Sequence, residues 1–140
     1  MKVQFFFIDK VPVLKDRTRL KQFIPTIFSK EKLRLESLTY IFCSDDYLLA
    51  INKEYLQHDY YTDIITFTLS EPGLPIQGEI YISIDRVRDN ARQLGTTIKE
   101  ELHRVVFHGA LHLCGYKDKS NKEVSAMRGA ESKYLHLYFG

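Results

Sequence analysis

Two histidines four residues apart, His108 and His112, stand in an otherwise apolar stretch, and an acid follows at Asp118. A helix advances about 100° per residue, so positions four apart lie on one face, one turn from each other. Both imidazoles can then reach a single ion. Gly115 can take the left-handed conformation that reverses a chain after a helix, and Asp118, three residues on, can swing back toward the histidine face. Two nitrogens and a carboxylate oxygen make a three-ligand set of the catalytic zinc type, with the fourth position left for water. One zinc ion per chain, held by His108, His112 and Asp118, is the expectation; a pair of histidines satisfied by ordinary hydrogen bonds is the alternative at this spacing. Gly109 fills the place where the zinc-peptidase helix motif carries its glutamate, so any general base must come from elsewhere.

Other side chains offer weaker signals. Arg88 and Arg92, four apart on a short helix, could grip phosphates or pair with Asp85 and Asp89. Tyr55, Tyr60 and Tyr61 could stack on bases, although core or sheet-edge packing is the stronger expectation. Cys114 reads as a helix-end thiol directed into the core. His103 lies off the face of His108 and reads as a surface or capping residue, and His58 as a solvated surface residue. His136 has no partner in the sequence.

The elements that must position these residues follow from periodicity and capping. Residues 2–8, 34–43, 64–69 and 78–84 are rich in β-branched and aromatic residues and read as strands. Asp16 is placed to cap a helix over residues 17–30, in which Pro25 predicts a kink or a later start. Ser44, followed by Asp45 and Asp46, caps a helix ending near Leu56. A short helix runs from Asp85 to Leu94 and stops at Gly95. Thr97 with Glu100 predicts a capping box opening an apolar helix through Leu113, and Ser120 with Glu123 predicts another opening the last helix, to about Tyr138. The order β-α-β-α-β-β-α-α-α implies an α+β fold, a mixed sheet of about four strands with about five helices. The helix carrying the His pair is apolar on several sides and should be the central one.

The 140 residues, 44% hydrophobic and 27% charged, fit one globular domain over residues 1–140 and exclude collagen and disorder. No apolar run approaches the roughly 18 residues of a membrane span. The run within residues 1–9 is too short for a signal peptide. Two isolated cysteines, Cys43 and Cys114, form no disulfide framework, so a reducing, cytoplasmic setting is expected. The net charge of +2 is unevenly spread: residues 1–34 carry nine basic and three acidic residues, residues 35–85 one and nine, residues 86–140 ten and six. The two basic ends could build a positive face suited to phosphate, or simply supply solvated helix faces.

The run His108-Gly109-Ala110-Leu111-His112-Leu113-Cys114-Gly115-Tyr116 resembles the signature of the YbeY-type bacterial endoribonucleases, the rRNA maturation factors. Asn52, Tyr55, Asp59, Thr62, Asp63 and Phe67 resemble the family's stretch leading into its third strand. Gly78-Glu79-Ile80 with Ser83 resembles a further strand, and Met127 and Glu131 fit its final helix. The resemblance implies a mixed four-stranded sheet with flanking helices. It implies zinc-dependent, single-strand-specific cleavage of RNA in 16S rRNA processing and ribosome biogenesis, with ribosomal RNA and the small subunit as partners. Two positions depart from the family. Asp118 stands where a third metal-binding His is usual, and an anionic ligand should weaken the ion as a Lewis acid. Leu56 stands where an Arg implicated in activity is common; His58, two residues on, could take its place. Two other readings stay open: a non-catalytic RNA-binding assembly factor, which the departures favour, and a metal-dependent amide hydrolase, which Gly109 disfavours.

Overall fold

The computed structural model describes residues 2–8 and 14–140. Its elements are β1 (Val3–Phe7), α1 (Arg17–Lys30), β2 (Leu35–Cys43), α2 (Asp45–Leu56), β3 (Ile64–Thr68), β4 (Ile76–Ser83), α3 (Ile84–Leu94), α4 (Ile98–Leu113) and α5 (Asn121–Phe139). The strands form one mixed sheet in the order β1-β2-β4-β3. β2 runs parallel to both β1 and β4, while β3 lies antiparallel to β4 at the sheet edge. The α+β architecture expected from the element order is therefore present.

Alternation along the strands decides which residues face the helices, because successive side chains point to opposite faces. Val3 and Phe5, Leu38, Tyr40 and Phe42, and Ile80 and Ile82 are buried in the main core with α1, α4 and α5. On the other face a smaller cluster of Cys43, Leu48 and Ile65 lies under α2. Helix α4 is the most enclosed element, with buried residues on several sides between Glu101 and Leu111. It can lie this close because of Gly109: a Cβ there would come within 2.9 Å of Ile64 Cδ1 and Ile80 Cδ1. The residue that excluded the peptidase motif is thus the contact point between helix and sheet.

The caps hold with two corrections. Ser44 Oγ accepts from Tyr47 N, and Ser120 with Glu123 forms the full reciprocal box. Thr97 Oγ1 accepts from Glu100 N, but the Glu100 carboxylate accepts from Thr96 Oγ1 instead of returning to the cap, so that box is half formed. Asp16 gives no side-chain cap. A capping side chain reaches the free amides from an extended backbone; Asp16 is left-handed at φ 50°, and only its carbonyl takes part, accepting from Leu20 N. Helix α1 runs through Pro25 as one element. No helix among the described residues is long and apolar enough to cross a membrane.

Candidate metal centre

The last turn of α4 sets the geometry. Gly115 is left-handed at φ 104°, Tyr116 N donates to Leu111 O and Gly115 N to His112 O, each at 3.0 Å. These two bonds satisfy carbonyls that a helix end would leave open, in the Schellman arrangement. The turn has two consequences. It brings the Tyr116 carbonyl under the His112 ring, and it returns the chain so that Asp118 faces both imidazoles.

Each ring is then fixed through its Nδ1. His108 Nδ1 lies 2.6 Å from Glu131 Oε2, and His112 Nδ1 lies 3.0 Å from Tyr116 O. A carboxylate and a carbonyl only accept, so both Nδ1 atoms carry hydrogen, and in the neutral rings both Nε2 atoms present lone pairs. Asp118 Oδ2 stands 3.4 Å from His108 Nε2 and 3.4 Å from His112 Nε2. The three ligand atoms lie within 4.8 Å of one another. Atoms bound about 2.0–2.1 Å from one ion at tetrahedral angles are separated by about 3.3 Å. The donor set therefore fits a divalent metal ion, with Asp118 the most exposed of the three side chains.

The backing of this cluster is a buried charge network that sequence reasoning missed. Glu131 is 1% exposed and accepts from His108 Nδ1 and, at 3.0 Å each, from Arg104 and Arg128. Arg104 also forms a bidentate pair with Glu101, itself buried, at 2.6 and 2.7 Å. Burial alone would raise the Glu131 carboxyl, but the hydrogen bond to His108 and the Arg104 guanidinium outweigh it and hold the group below its ordinary range. Arg104, desolvated yet gripped by two carboxylates, is pushed above the usual arginine value. A ligating histidine backed by a carboxylate through its second nitrogen has a fixed tautomer and a more basic ligand atom. A second tether acts on the turn: Glu31 accepts from Tyr116 and Tyr134, the former at 3.0 Å. The signal for Glu131 was present in the sequence. Met127, Glu131, Tyr134 and Tyr138 are spaced four, three and four, so a carboxylate stands in an apolar helical stripe and demands a partner.

Other sequence expectations sort as follows. Cys114 packs against the core, and burial, with Glu31 nearby, pushes its thiol up to about 12. His103 is not a surface residue: it is 2% exposed, its Nδ1 donates to Lys99 O at 2.7 Å, and it stacks on Tyr138. Its position on the enclosed end of α4 decides this. Burial lowers its pKa, the Lys99 carbonyl opposing. Tyr55, on the last turn of α2, and Tyr60 and Tyr61, beyond it, are not packed in the core; they are 62%, 56% and 49% exposed. Tyr55 meets Phe67 edge-on. Arg92 pairs with Asp89, whereas Asp85 accepts from Asp45 N, and Arg88 has no ion pair among the described residues. Arg88 and Arg92 sit on α3, apart from the cavity that joins the cluster. That cavity, about 550 Å³, is lined by His112, Asp118 and Lys119 on one side and by Asn52, His58 and Tyr60 on the other.

The fold and cluster together define a small α+β protein with a candidate two-histidine, one-aspartate metal centre at the side of an open cleft. Comparison with known sequences agrees with this outline. The endoribonuclease YbeY family matches residues 9–138. An endoribonuclease YbeY of Cytophaga hutchinsonii is 53% identical over 95% of this chain and 93% of its own. Those of Porphyromonas gingivalis and Bacteroides thetaiotaomicron are 45% and 46% identical, over 93% and 91% of this chain and 86% and 92% of their own. A Thermotoga maritima protein of known solution structure superposes with a TM-score of 0.68 at 30% identity, covering 99% of this chain and 89% of that one. The chain belongs to the endoribonuclease YbeY family.

Proposed function

We propose that this protein is a metal-dependent endoribonuclease of ribosomal RNA maturation, with one zinc ion held by His108, His112 and Asp118. The observation that supports it most is the pair of Nε2 lone pairs converging with Asp118 Oδ2, each ring locked by a separate acceptor behind it. A divalent ion in that place supplies Lewis-acid stabilisation of a phosphoryl oxygen and a more acidic water. The protein's own contribution is to hold the three ligand atoms, fix both tautomers, and present the cleft. The cleft, about 550 Å³ and lined by Tyr60, His58 and Lys119, has rings and a cation to offer an unpaired strand. Single-strand specificity, processing of 16S rRNA within or beside the small subunit, and a cytoplasmic setting belong to this proposal. Family membership supports the RNA substrate, and two thiols that form no disulfide support the setting. Arg88 and Arg92 are proposed only as outlying phosphate contacts.

The test is cleavage of end-labelled single-stranded and duplex RNA by purified protein, with and without zinc, beside His108→Ala. Zinc-dependent cutting of the single strand, lost in the variant, is expected. Tight, salt-sensitive RNA binding without cutting under any metal would establish the non-catalytic assembly factor instead.

A further inference from the structure

Cutting a phosphodiester at neutral pH requires a proton for the departing oxygen, because an alkoxide is a poor leaving group. The side chains of the candidate metal cluster have none to give: with neutral rings, both Nε2 atoms and Asp118 are acceptors, and both Nδ1 hydrogens are committed to Glu131 and to the Tyr116 carbonyl. A side-chain donor must therefore stand elsewhere in the same cleft. Asn52, Leu56, Thr62 and Thr66, also on its lining, do not titrate there. Lys119, Tyr60 and His58 also line it, and imidazole is the type of side chain that exchanges protons near neutrality.

The position of His58 is built. Gln57 is left-handed at φ 56° and closes α2, and His58 N donates to Asn52 O at 3.1 Å. Asn52 is 1% exposed, and its Nδ2 donates to Tyr60 O at 2.9 Å. Asn52 thus holds the loop at two points, through its backbone carbonyl at His58 and its buried side-chain amide at Tyr60. The ring stacks on Tyr60 with centroids 5.1 Å apart, and Tyr60 Oη lies 2.9 Å from its Nδ1. A hydroxyl both donates and accepts, so it can hold Nδ1 in either charge state and leaves Nε2 as the nitrogen that faces a ligand.

We propose that His58 is the general acid of this endoribonuclease and Tyr60 its positioning residue, acting from the wall of the cleft opposite the His108–His112–Asp118 cluster. The inference rests on the ribonuclease reading above. In the step, a phosphorus–oxygen bond forms to the attacking oxygen, whose proton passes to solvent. The bond to the leaving oxygen breaks, and that oxygen keeps the electron pair and takes the Nε2 proton. The imidazolium becomes neutral with hydrogen still on Nδ1, directed at Tyr60 Oη, and regains its Nε2 proton from solvent. Charged and titratable groups around the ring are Tyr60 on its own loop, Asp59 beside it with Lys53 paired to it from α2, and Asp118 and Lys119 across the cleft.

The experiment compares His58→Gln and His58→Phe, the second keeping an aromatic surface for Tyr60, with Lys119→Met as a control. Product ends first identify the leaving oxygen. Ordinary RNA and RNA with sulfur in place of that oxygen are then cut by each protein. A general acid is worth about 10²- to 10⁴-fold, so kcat on ordinary RNA should fall in that range for both His58 variants, with KM and binding of uncleavable RNA changed less than threefold. A thiolate leaves without protonation, so on the sulfur substrate the loss should shrink to within tenfold. Tyr60→Phe should lower kcat about tenfold and move the His58 ring ¹⁵N resonances in the metal-free protein. A loss equal on both substrates, or confined to KM, would overturn the proposal and leave His58 as an RNA contact. Full activity of His58→Gln, or the sulfur-sensitive loss appearing in Lys119→Met instead, would overturn it as well. A parent protein that binds zinc but cuts neither RNA would mark failure of the ribonuclease reading rather than of the His58 assignment.

Discussion

On one wall of the cleft, α4 and α5 bury Glu101 and Glu131 around Arg104 and direct His108 from behind. On the other, the end of α2 and the segment leading to β3 expose Tyr55, Tyr60 and Tyr61, with Asn52 holding the segment at His58 and Tyr60. Behind the histidines the first wall is over-determined: both Nδ1 atoms and the Glu101, Arg104 and Glu131 side chains have partners, and the helix that carries them is seated on the sheet at Gly109. The second is adaptable, with broad apolar faces in water and few tethers. A metal centre needs its ligand atoms held to a few tenths of an ångström, whereas a surface that meets varied RNA strands gains from exposed rings. The contrast predicts that substitutions on the two walls fail in different ways.

The largest effect should fall on the ligand that no network supports. Asp118 is 42% exposed and belongs to no helix. Asp118→Ala leaves two imidazoles, and zinc affinity, measured by competition with a chromophoric chelator, should drop by orders of magnitude with little change in melting temperature. Asp118→His should keep zinc and add one positive charge to the site, shifting any activity profile toward lower pH.

Next comes the buried network. Glu131→Gln removes one of the two carboxylates that compensate Arg104, and breaking a buried pair costs about 3 kcal/mol. It should also weaken zinc binding by about 10- to 100-fold through His108. Because the folded carboxyl is held below its unfolded value, its stabilisation is complete above the ordinary glutamate range, about pH 4.3, and is lost as pH falls through the depressed value. Denaturant melts of parent and Glu131→Gln should therefore converge in acid. A difference that stays constant down to pH 3 would deny the pairing.

Gly109→Ala tests the seat of the helix. The added methyl meets Ile64 and Ile80 at 2.9 Å, and overpacking of this kind costs about 1–3 kcal/mol. At the small end, Tyr55→Ala on the open wall should change stability by less than about 0.5 kcal/mol. A loss as large as that of Gly109→Ala would show that the open wall is structural.

The sequence showed the His pair, the Gly115 turn and the acid beyond it because all three belong to one short run with helical spacing and a turn signal. The sheet and helices were legible for the same reason, periodicity and caps being local. What stayed hidden was partnership across the fold. Glu131 is 23 residues from His108 and Glu31 is 85 from Tyr116, and no local pattern joins them. His103 was misplaced because it lies off the face of the His pair, between Glu101 and Arg104, whereas the rings packed on it, Tyr138 and Phe139, come from the far end of the chain. Of the core or sheet-edge packing expected for the three tyrosines, only the sheet-edge part holds, and for Tyr55, whose ring meets Phe67 of the edge strand β3; none of the three enters the core.

The central claim is that the two histidines and Asp118 form one metal centre that cuts RNA. It is tested most directly by stripping the protein of metal, returning zinc in steps, and following bound zinc and RNA cleavage in the same samples, beside His112→Ala. The account predicts that cleavage rises with zinc and saturates at one ion per chain, and that His112→Ala binds none and cuts nothing. Cleavage that survives stripping unchanged, or a His112→Ala protein that takes up zinc and cuts like the parent, would contradict it.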